Sequence, residues 1–155
     1  MPACLFDTNV WLAALFTTHP FHDRAQQALQ QATPDAPAVF CRATQQSFLR
    51  LVTTPALLKA YGAAGMTNRD ALVALDTLQA LPQVSVRDES PGVFALWRRL
   101  ANIDSASPKA WMDAYLAAFA MSGGMRILTI DRDFHNFVTH GLELSLIQSQ
   151  FTSSA

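Results

Sequence analysis

Short apolar segments alternate with longer segments of helical periodicity along this chain of 155 residues. Five of the short segments combine apolar and β-branched residues and predict strands, at 3–6, 38–40, 84–87, 126–130 and 142–147. The longer segments carry apolar residues three and four positions apart, which is typical of helices that pack one face against a core. Strands that alternate with helices favour an α/β fold with a mostly parallel central sheet of about five strands.

Capping residues and prolines mark the starts of the later helices. Thr67, with Asp70 three positions later, predicts a capping box. Ser-Pro pairs at 90–91 and 107–108 each predict a helix start, and the second of these helices should end at the glycines 123–124. No loop is long enough to separate domains, so we expect a single domain over 1–150 and a frayed tail over 151–155.

The composition is rich in apolar residues and poor in charge. Hydrophobic residues make up 50% of the chain and charged residues 15%, against about 25% charged residues in an average soluble domain. Part of this apolar surplus lies on helices late in the chain, at Phe94, Trp97 and Trp111. Aromatic residues are common at protein interfaces, so we predict a homodimer, with a larger internal core as the alternative.

The net charge does not indicate a basic field over the whole domain. Eleven Lys and Arg stand against twelve Asp and Glu, which gives a formal net charge of −1. Any binding of nucleic acid therefore has to use a local patch. The basic residues near the acidic motifs described below are candidates for phosphate contacts, with ordinary surface charges as the alternative: Arg42, Arg50, Lys109 and Arg132.

The cysteines and the N-terminal segment predict a cytoplasmic protein. Cys4 and Cys41 lie in apolar segments, where free thiols are commonly buried. We expect no signal peptide, because the segment before Asp7 has no basic residue. We also expect no membrane anchor, because no apolar run reaches the ~18 residues of a spanning helix. Free cysteines fit a reducing compartment.

Two acidic residues stand directly after apolar strands. Asp7 follows the strand predicted at 3–6, and Asp131 follows the strand predicted at 126–130. Ligand sites of open parallel sheets lie at the carboxyl ends of the strands, so both acids are expected at one site. The alternative is that such an acid only caps the following helix, as Asp131 can do before Arg132.

A third acid, Asp113, lies on a helix that is apolar nearly all the way round. Such a helix is normally buried, and an ionised carboxylate there is costly unless it is paired or binds a metal. An ion pair with Lys109, four residues earlier on the same face, is the alternative to metal binding. Because the candidate ligands are oxygens and no His and Cys show zinc spacing, the pattern favours Mg²⁺ or Mn²⁺ over Zn²⁺.

Three segments resemble the motifs of PIN-domain ribonucleases, in their usual order. Residues 5–11 read LFDTNVW and resemble the D-x-N motif that opens these domains. Residues 113–120 read DAYLAAFA and residues 128–134 read LTIDRDF, similar to the D-x-x-x-A-A-x-A and T-x-D-x-D-F motifs. Each motif alone is unspecific, but the ordered set spans nearly the whole chain and resembles the VapC toxins of bacterial toxin–antitoxin pairs.

The resemblance implies a fold, an activity and partners. It implies an α/β/α sandwich, a homodimer, and a Mg²⁺-dependent endoribonuclease that Mn²⁺ can also support. RNA is the implied substrate, and a cognate antitoxin protein is the implied partner. Carried over by position, Asp7 and Asp113 are the main metal ligands, and Asp131 is a further catalytic acid that binds metal directly or through water.

The resemblance also assigns supporting roles to neighbouring residues. Thr8 or Asn9 is expected to hold Asp7 in place, and Thr129 is expected to do the same for Asp131. Asp133 is a supporting residue or a weak ligand.

The sequence departs from the family pattern at one acidic position. The family usually has a Glu at the start of a helix before an F-x-R-like stretch, and here residues 44–50 read TQQSFLR, so Gln45 takes its place. Gln45 shares a helix face with Phe48, Leu49 and Val52, so it is expected to point inward. A carboxamide oxygen can bind a cation but brings no charge, so we predict one tightly held metal and a weaker second one.

Two other functions fit parts of the pattern. A non-catalytic PIN-like RNA-binding or scaffold protein would explain the loss of the acid at Gln45, and metal-dependent cleavage of RNA would dismiss it.

Aspartyl-phosphate phosphatases also place Asp-x-Asp/Asn after a strand, with the first Asp as nucleophile, here Asp7 and Asn9. A phospho-aspartate trapped on Asp7 would favour that class.

Overall fold

A five-stranded sheet forms the centre of the protein in the computed structural model, which describes residues 2–148. Its strands are β1 (Cys4–Phe6), β2 (Ala38–Phe40), β3 (Val84–Val86), β4 (Arg126–Thr129) and β5 (Leu144–Leu146). The order across the sheet is β3-β2-β1-β4-β5, and every neighbouring pair is parallel. The predicted α/β class with a parallel five-stranded sheet is confirmed, while the tail predicted at 151–155 lies outside the described residues.

The side chains of the strands alternate between two hydrophobic cores, one on each face of the sheet. Phe6 and Phe40 lie in the first core, whereas Leu5 and Val39 lie in the second. This alternation arises because successive residues of a strand point to opposite faces. Since both faces are covered, the strands read as continuous apolar runs rather than as alternating ones.

Helices cover both faces and complete an α/β/α sandwich. The first core is covered by α1 (Thr8–Leu15), α2 (His22–Gln31), α3 (Arg42–Val52), α4 (Pro55–Ala60) and α5 (Asn68–Gln79). The second core is covered by α6 (Val93–Ala101), α7 (Pro108–Ser122) and a 3₁₀ helix (Arg132–His140). Within residues 2–148, none of the helices has the length and apolar character needed to cross a membrane.

Two of the three predicted helix starts are confirmed, and one is wrong. Thr67 and Asp70 form the predicted capping box at the start of α5. Helix α7 begins at Pro108 and ends before the glycine pair 123–124, as predicted. Helix α6 begins at Val93 and not at the Ser-Pro pair 90–91, because Gly92 adopts a left-handed conformation with φ 90° and separates that pair from the helix.

The strand order creates a cleft at the carboxyl end of the sheet. From β1 the chain moves outward to β2 and β3, and it then returns to β4 on the other side of β1. The helices of these two halves cover opposite faces, so the segments that follow β1 and β4 diverge. Asp7 directly follows β1, and Asp131 comes two residues after the end of β4, so both acids lie at this cleft.

Candidate active site

Asp7 both caps helix α1 and faces the end of strand β4. Its Oδ1 accepts a hydrogen bond from the backbone N–H of Thr8 at 2.8 Å, as expected of a helix cap. Its Oδ2 accepts a hydrogen bond from the hydroxyl of Thr129 at 2.7 Å. The capping role that the sequence left open is therefore present, and it holds one carboxylate oxygen while Thr129 holds the other.

Thr129 is the hydrogen-bonding centre between the ends of β1 and β4. Its buried Oγ1 accepts hydrogen bonds from the backbone N–H of Asp131 at 3.0 Å and from the side-chain amide of Asn9 at 3.4 Å. The Oδ1 of Asn9 accepts a hydrogen bond from the backbone N–H of Ile130 at 3.3 Å. The hydroxyl of Thr129 thus supports the carboxylate of Asp7 rather than that of Asp131. Asn9 secures the end of β4 rather than Asp7.

The ammonium of Lys109 joins three carboxylates. Its Nζ lies 3.0 Å from Oδ2 of Asp113 and 3.0 Å from Oδ2 of Asp133, and it also donates to Oδ2 of Asp131. The side chains of Asp113 and Asp131 are 15% and 23% exposed, whereas that of Asp133 is 65% exposed. The ion pair of Lys109 with Asp113, which the sequence offered as an alternative, is therefore formed and extends to two further acids.

Asp131 also has the capping role considered for it. Its side chain accepts a hydrogen bond from the backbone N–H of Asp133 at 2.9 Å at the start of the 3₁₀ helix. One of its oxygens serves the cap and the other meets Lys109. The capping bond and the charged contact of Asp131 thus use different oxygens, and at Asp7 the capping bond and the bond from the Thr129 hydroxyl are likewise on different oxygens.

The acids of the cleft share one electrostatic environment. Burial raises the pKa of Asp7, and the negative charges of Asp113 and Asp131 raise it further, against the hydrogen bonds that the carboxylate accepts. Burial also raises the pKa of Asp113, although Lys109 opposes the shift. Burial acts in the same direction on Asp131, but the hydrogen bond from Lys109 helps to lower its pKa overall. Three acids that are distant in sequence therefore influence one another.

The donor atoms of the cleft fit a hard divalent cation. Asp7, Asp113 and Asp131 supply carboxylate oxygens, and Mg²⁺ and Mn²⁺ prefer oxygen ligands. Within residues 2–148, no three Asp, Glu, His or Cys side chains already surround one point in the manner of metal ligands. The ammonium of Lys109 lies among two of these acids instead. Metal binding through these oxygens therefore competes with the ion pairs of Lys109.

Gln45 is buried, as its helix face predicts, but its carboxamide has protein partners. Its Oε1 accepts a hydrogen bond from the guanidinium of Arg42 at 2.9 Å. Its Nε2 donates a hydrogen bond to Oε1 of Gln79, on α5, at 2.6 Å. The oxygen that could serve a second cation thus already faces a positive charge, which is unfavourable for metal binding there.

The predicted phosphate contacts differ in their surroundings. Arg42, Arg50, Lys109 and Arg132 are all exposed, so each can reach a ligand in solvent. Lys109 has to leave its carboxylates to do so, and Arg42 has to leave Gln45. Arg132 lies at the first position of the 3₁₀ helix, directly after Asp131.

A cavity of about 340 Å³ opens beside the acids and contains polar residues that sequence analysis misses. Asp113, Asp133 and Lys109 line it together with Asn136 and His140. Asn136 comes three residues after Asp133, and His140 comes four residues after Asn136, along the 3₁₀ helix. Residues three apart align in a 3₁₀ helix, so the spacing of Asp133 and Asn136 is the signal that the sequence contains.

The parallel α/β/α fold, with acids after β1 and β4 and on α7, defines a PIN-type domain, and comparison with known sequences agrees. The model of the PIN domain family matches residues 4–138, so the chain belongs to this family. Within the family it is of the VapC type. Ribonuclease VapC41 of Mycobacterium tuberculosis is 44% identical over 146 residues, which cover 92% of this chain and 97% of that protein.

Solved structures share the fold. VapBC2 from Rickettsia felis, bound to a DNA fragment from its promoter, has a TM-score of 0.62 at 13% identity and covers 93% of this chain and 98% of that chain. VapC20 of Mycobacterium tuberculosis, a toxin that cleaves the sarcin–ricin loop, has a TM-score of 0.58 at 18% identity and covers 90% and 96%. The expected α/β/α sandwich is thereby confirmed.

Proposed function

We propose that this chain is a divalent-metal-dependent endoribonuclease and the toxin of a toxin–antitoxin pair. The observation that carries the proposal is geometric: Asp7 and Asp131 follow the paired parallel strands β1 and β4, and Lys109 joins Asp131 to Asp113 on α7. The identity of 44% to Ribonuclease VapC41 over nearly the full length supports RNA as the substrate. The fold shared with VapBC2 supports a cognate antitoxin protein as the partner.

In this proposal Asp7 and Asp113 hold the cation, and Asp131 binds it directly or through a water molecule. The chemistry that a divalent cation would supply there is activation of water for attack on the phosphodiester, and these carboxylates would hold the cation in place. The carboxylate of Asp7 is oriented by two hydrogen bonds, from the Thr129 hydroxyl to Oδ2 and from the first backbone N–H of α1 to Oδ1. Mg²⁺ is the expected cation, and Mn²⁺ is expected to substitute for it.

We also propose that the protein forms a homodimer. Phe94 on α6 and Trp111 on α7 are 63% and 60% exposed. The indole N–H of Trp97, on α6, donates to the backbone carbonyl of Trp111 at 2.9 Å and holds the two helices together. Exposed aromatic side chains on two packed helices fit a protein interface.

A cytoplasmic location is proposed from the state of the cysteines. Cys4 and Cys41 are both free and buried. Burial raises the pKa of the Cys4 thiol to about 11, which keeps it protonated and unreactive at neutral pH. Two such thiols fit the reducing cytoplasm, where an RNA-cleaving toxin meets its substrate.

A non-catalytic RNA-binding or scaffold role is the second candidate. It is favoured by the engagement of Asp113 and Asp131 with Lys109 and by Gln45 in place of an acid. In that case the carboxylates and the ammonium would serve only to stabilise the fold. The two candidates differ in one observable, which is RNA cleavage that depends on a divalent metal.

RNA cleavage by matched variants tests the proposal. Purified protein is incubated with total bacterial RNA in Mg²⁺, in Mn²⁺ or in EDTA, and we expect cleavage with either metal and none in EDTA. Asp7→Asn and Asp113→Asn each remove a metal-binding charge and should slow cleavage by about 100-fold or more. Asp76→Asn, which changes an exposed acid on α5, should cleave like the wild type. Cleavage in EDTA, or equal rates in all variants, would contradict the proposal.

Growth of bacteria that express the protein tests the toxin role separately. Expression of the wild type should slow growth, and Asp7→Asn or Asp113→Asn should abolish the effect. Binding to the antitoxin should survive in both variants, because only the charge of one side chain changes. Equal growth inhibition by the wild type and both variants would rule out metal-dependent cleavage as its cause.

A further inference from the structure

The ammonium of Lys109 lies among acids that the proposed function assigns to a metal. Its Nζ is 3.0 Å from Asp113 and 3.0 Å from Asp133, and it also donates to Asp131. A lysine ammonium has three N–H donors, so its whole hydrogen-bonding capacity can go to these three acids. Two of them, Asp113 and Asp131, are ligands in the proposed function, on which this inference rests.

An ammonium and a divalent cation compete for the same carboxylate oxygens. Lys109 bonds Oδ2 of Asp113 and Oδ2 of Asp131. Two positive charges a few ångströms apart repel each other strongly where the surroundings are partly buried. A metal that takes up these oxygens therefore has to displace the ammonium or tolerate its repulsion.

The position of Lys109 allows it to be displaced. It lies on the first turn of α7, directly after Pro108 and four residues before Asp113. Its side chain is 55% exposed. The flexible four-carbon stem of lysine can therefore carry the ammonium into solvent without opening the hydrophobic core.

We propose that Lys109 is a tethered counter-ion, which neutralises the acids in the metal-free protein and leaves Asp113 and Asp131 when a divalent cation binds. It stabilises the metal-free fold, because it offsets the repulsion between neighbouring carboxylates. It also weakens metal binding, because its displacement costs hydrogen bonds and charge pairing. The affinity of the site for metal is thus set by a residue that is not itself a ligand.

Calorimetric titration with Mn²⁺ tests this competition. Lys109→Met removes the charge and keeps an unbranched side chain, and Lys109→Arg keeps the charge. We expect Lys109→Met to bind Mn²⁺ about tenfold or more tightly than the wild type does. The Mn²⁺ affinity of Lys109→Arg should stay closer to that of the wild type. Lys59→Met is the matched control, because it removes the chain's other lysine, exposed on α4, and should leave the affinity unchanged. Equal or weaker Mn²⁺ binding by Lys109→Met would overturn the proposal.

Thermal unfolding gives an independent readout on the same variants. In EDTA, Lys109→Met should unfold at a lower temperature than the wild type, because three neighbouring carboxylates lose their ammonium. Added Mn²⁺ should then raise its unfolding temperature by more than it raises that of the wild type. An unfolding temperature in EDTA that is equal to that of the wild type would contradict the neutralising role.

The wild-type chain offers a test that needs no variant. It has two lysines, Lys59 and Lys109. An ammonium held by three carboxylates exchanges slowly with water, so the Nζ signal of Lys109 should be visible in a ¹⁵N NMR spectrum of the side chains. Titration with Mg²⁺ should shift or remove this signal. A Lys109 signal that stays unchanged at saturating Mg²⁺ would overturn the proposal.

These outcomes are distinguishable from failure of the proposed function. If the wild type cleaves RNA in Mn²⁺ and Lys109→Met binds the metal no more tightly, the counter-ion role fails and the metal-dependent function stands. If neither protein binds Mn²⁺ and the wild type cleaves no RNA, the metal-dependent function fails and the counter-ion role fails with it.

Discussion

The hydroxyl of Thr129 lies 2.7 Å from Oδ2 of Asp7 and donates a hydrogen bond to it. The two residues are 122 positions apart in the chain, yet they stand at the ends of the neighbouring parallel strands β4 and β1. Thr129 is fully buried, so this bond is shielded from competing water. One threonine therefore joins the two strand ends that form the cleft and sets the direction of the Asp7 carboxylate.

Thr129→Val is predicted to destabilise the protein and to weaken metal binding. Valine keeps the shape of threonine, but it leaves an oxygen of Asp7 and the backbone N–H of Asp131 without the bonds that they have here. Partly buried polar groups that lose a partner cost about 1–3 kcal/mol each, so the free energy of unfolding should fall by an amount of this order. Urea denaturation measures it. Thr129→Ser keeps the hydroxyl, so its free energy of unfolding should fall by less than that of Thr129→Val. A larger fall for Thr129→Ser would contradict this account.

Asp7→Asn is predicted to stabilise the metal-free protein near neutral pH. Burial raises the pKa of Asp7 in the folded state, so folding favours the protonated acid. The stability that this carboxyl contributes is complete below its unfolded pKa and is lost as the pH rises through the raised pKa. Asparagine is uncharged at every pH and avoids that loss.

Thermal unfolding in EDTA checks this prediction. The gain in unfolding temperature of Asp7→Asn over the wild type should be larger near neutral pH than below about pH 3.9, the ordinary pKa of aspartate, where the carboxyl is mostly protonated in the folded and the unfolded protein. Asp76→Asn, at an exposed position, should show little change at either pH. A gain of equal size at both pH values would mean that ionisation of Asp7 is not its cause.

The sheet and the positions of its acids could be predicted because local patterns determine them. Buried parallel strands read as apolar runs, and Asp7 and Asp131 follow two such runs. Asp113 could be found because it is an acid on an otherwise apolar helix. In each case the information lies within about ten neighbouring residues, which is the range over which periodicity is informative.

The contacts between these acids and their neighbours could not be predicted, because they depend on how distant segments pack. The pairing of Thr129 with Asp7 requires the register of β1 and β4, which no local pattern contains. The reach of Lys109 to Asp131 and Asp133 depends on how α7 and the 3₁₀ helix approach each other. The start of α6 was missed for a local reason, since the left-handed Gly92 outweighs a Ser-Pro signal.

The homodimer is predicted to form through the exposed aromatic face of α6 and α7. Trp111→Glu places a charge on a side chain that is 60% exposed there and should yield a monomer. Light scattering at micromolar concentration measures the molecular mass. Val73→Glu is the control, because Val73 is an apolar residue on α5 with a similar exposure of 61%. A monomeric wild type, or a dimer that Val73→Glu disrupts and Trp111→Glu does not, would contradict this interface.

Gln45→Glu is predicted to tighten the binding of Mg²⁺ or Mn²⁺, by an amount that Arg42 limits. The substitution restores an acid where the family usually has one, and hard cations are held mainly by carboxylate charge. The guanidinium of Arg42 already lies 2.9 Å from the oxygen of Gln45, however, so it will pair with the new carboxylate. Adding Arg42→Met to Gln45→Glu should therefore raise metal affinity beyond that of Gln45→Glu alone. Arg42→Met in the wild-type background is the control that completes the double-mutant cycle. Calorimetric titration gives the four affinities, and values that stay equal across the cycle would mean that Gln45 lies outside the metal site and that its alignment with the family's acid is wrong.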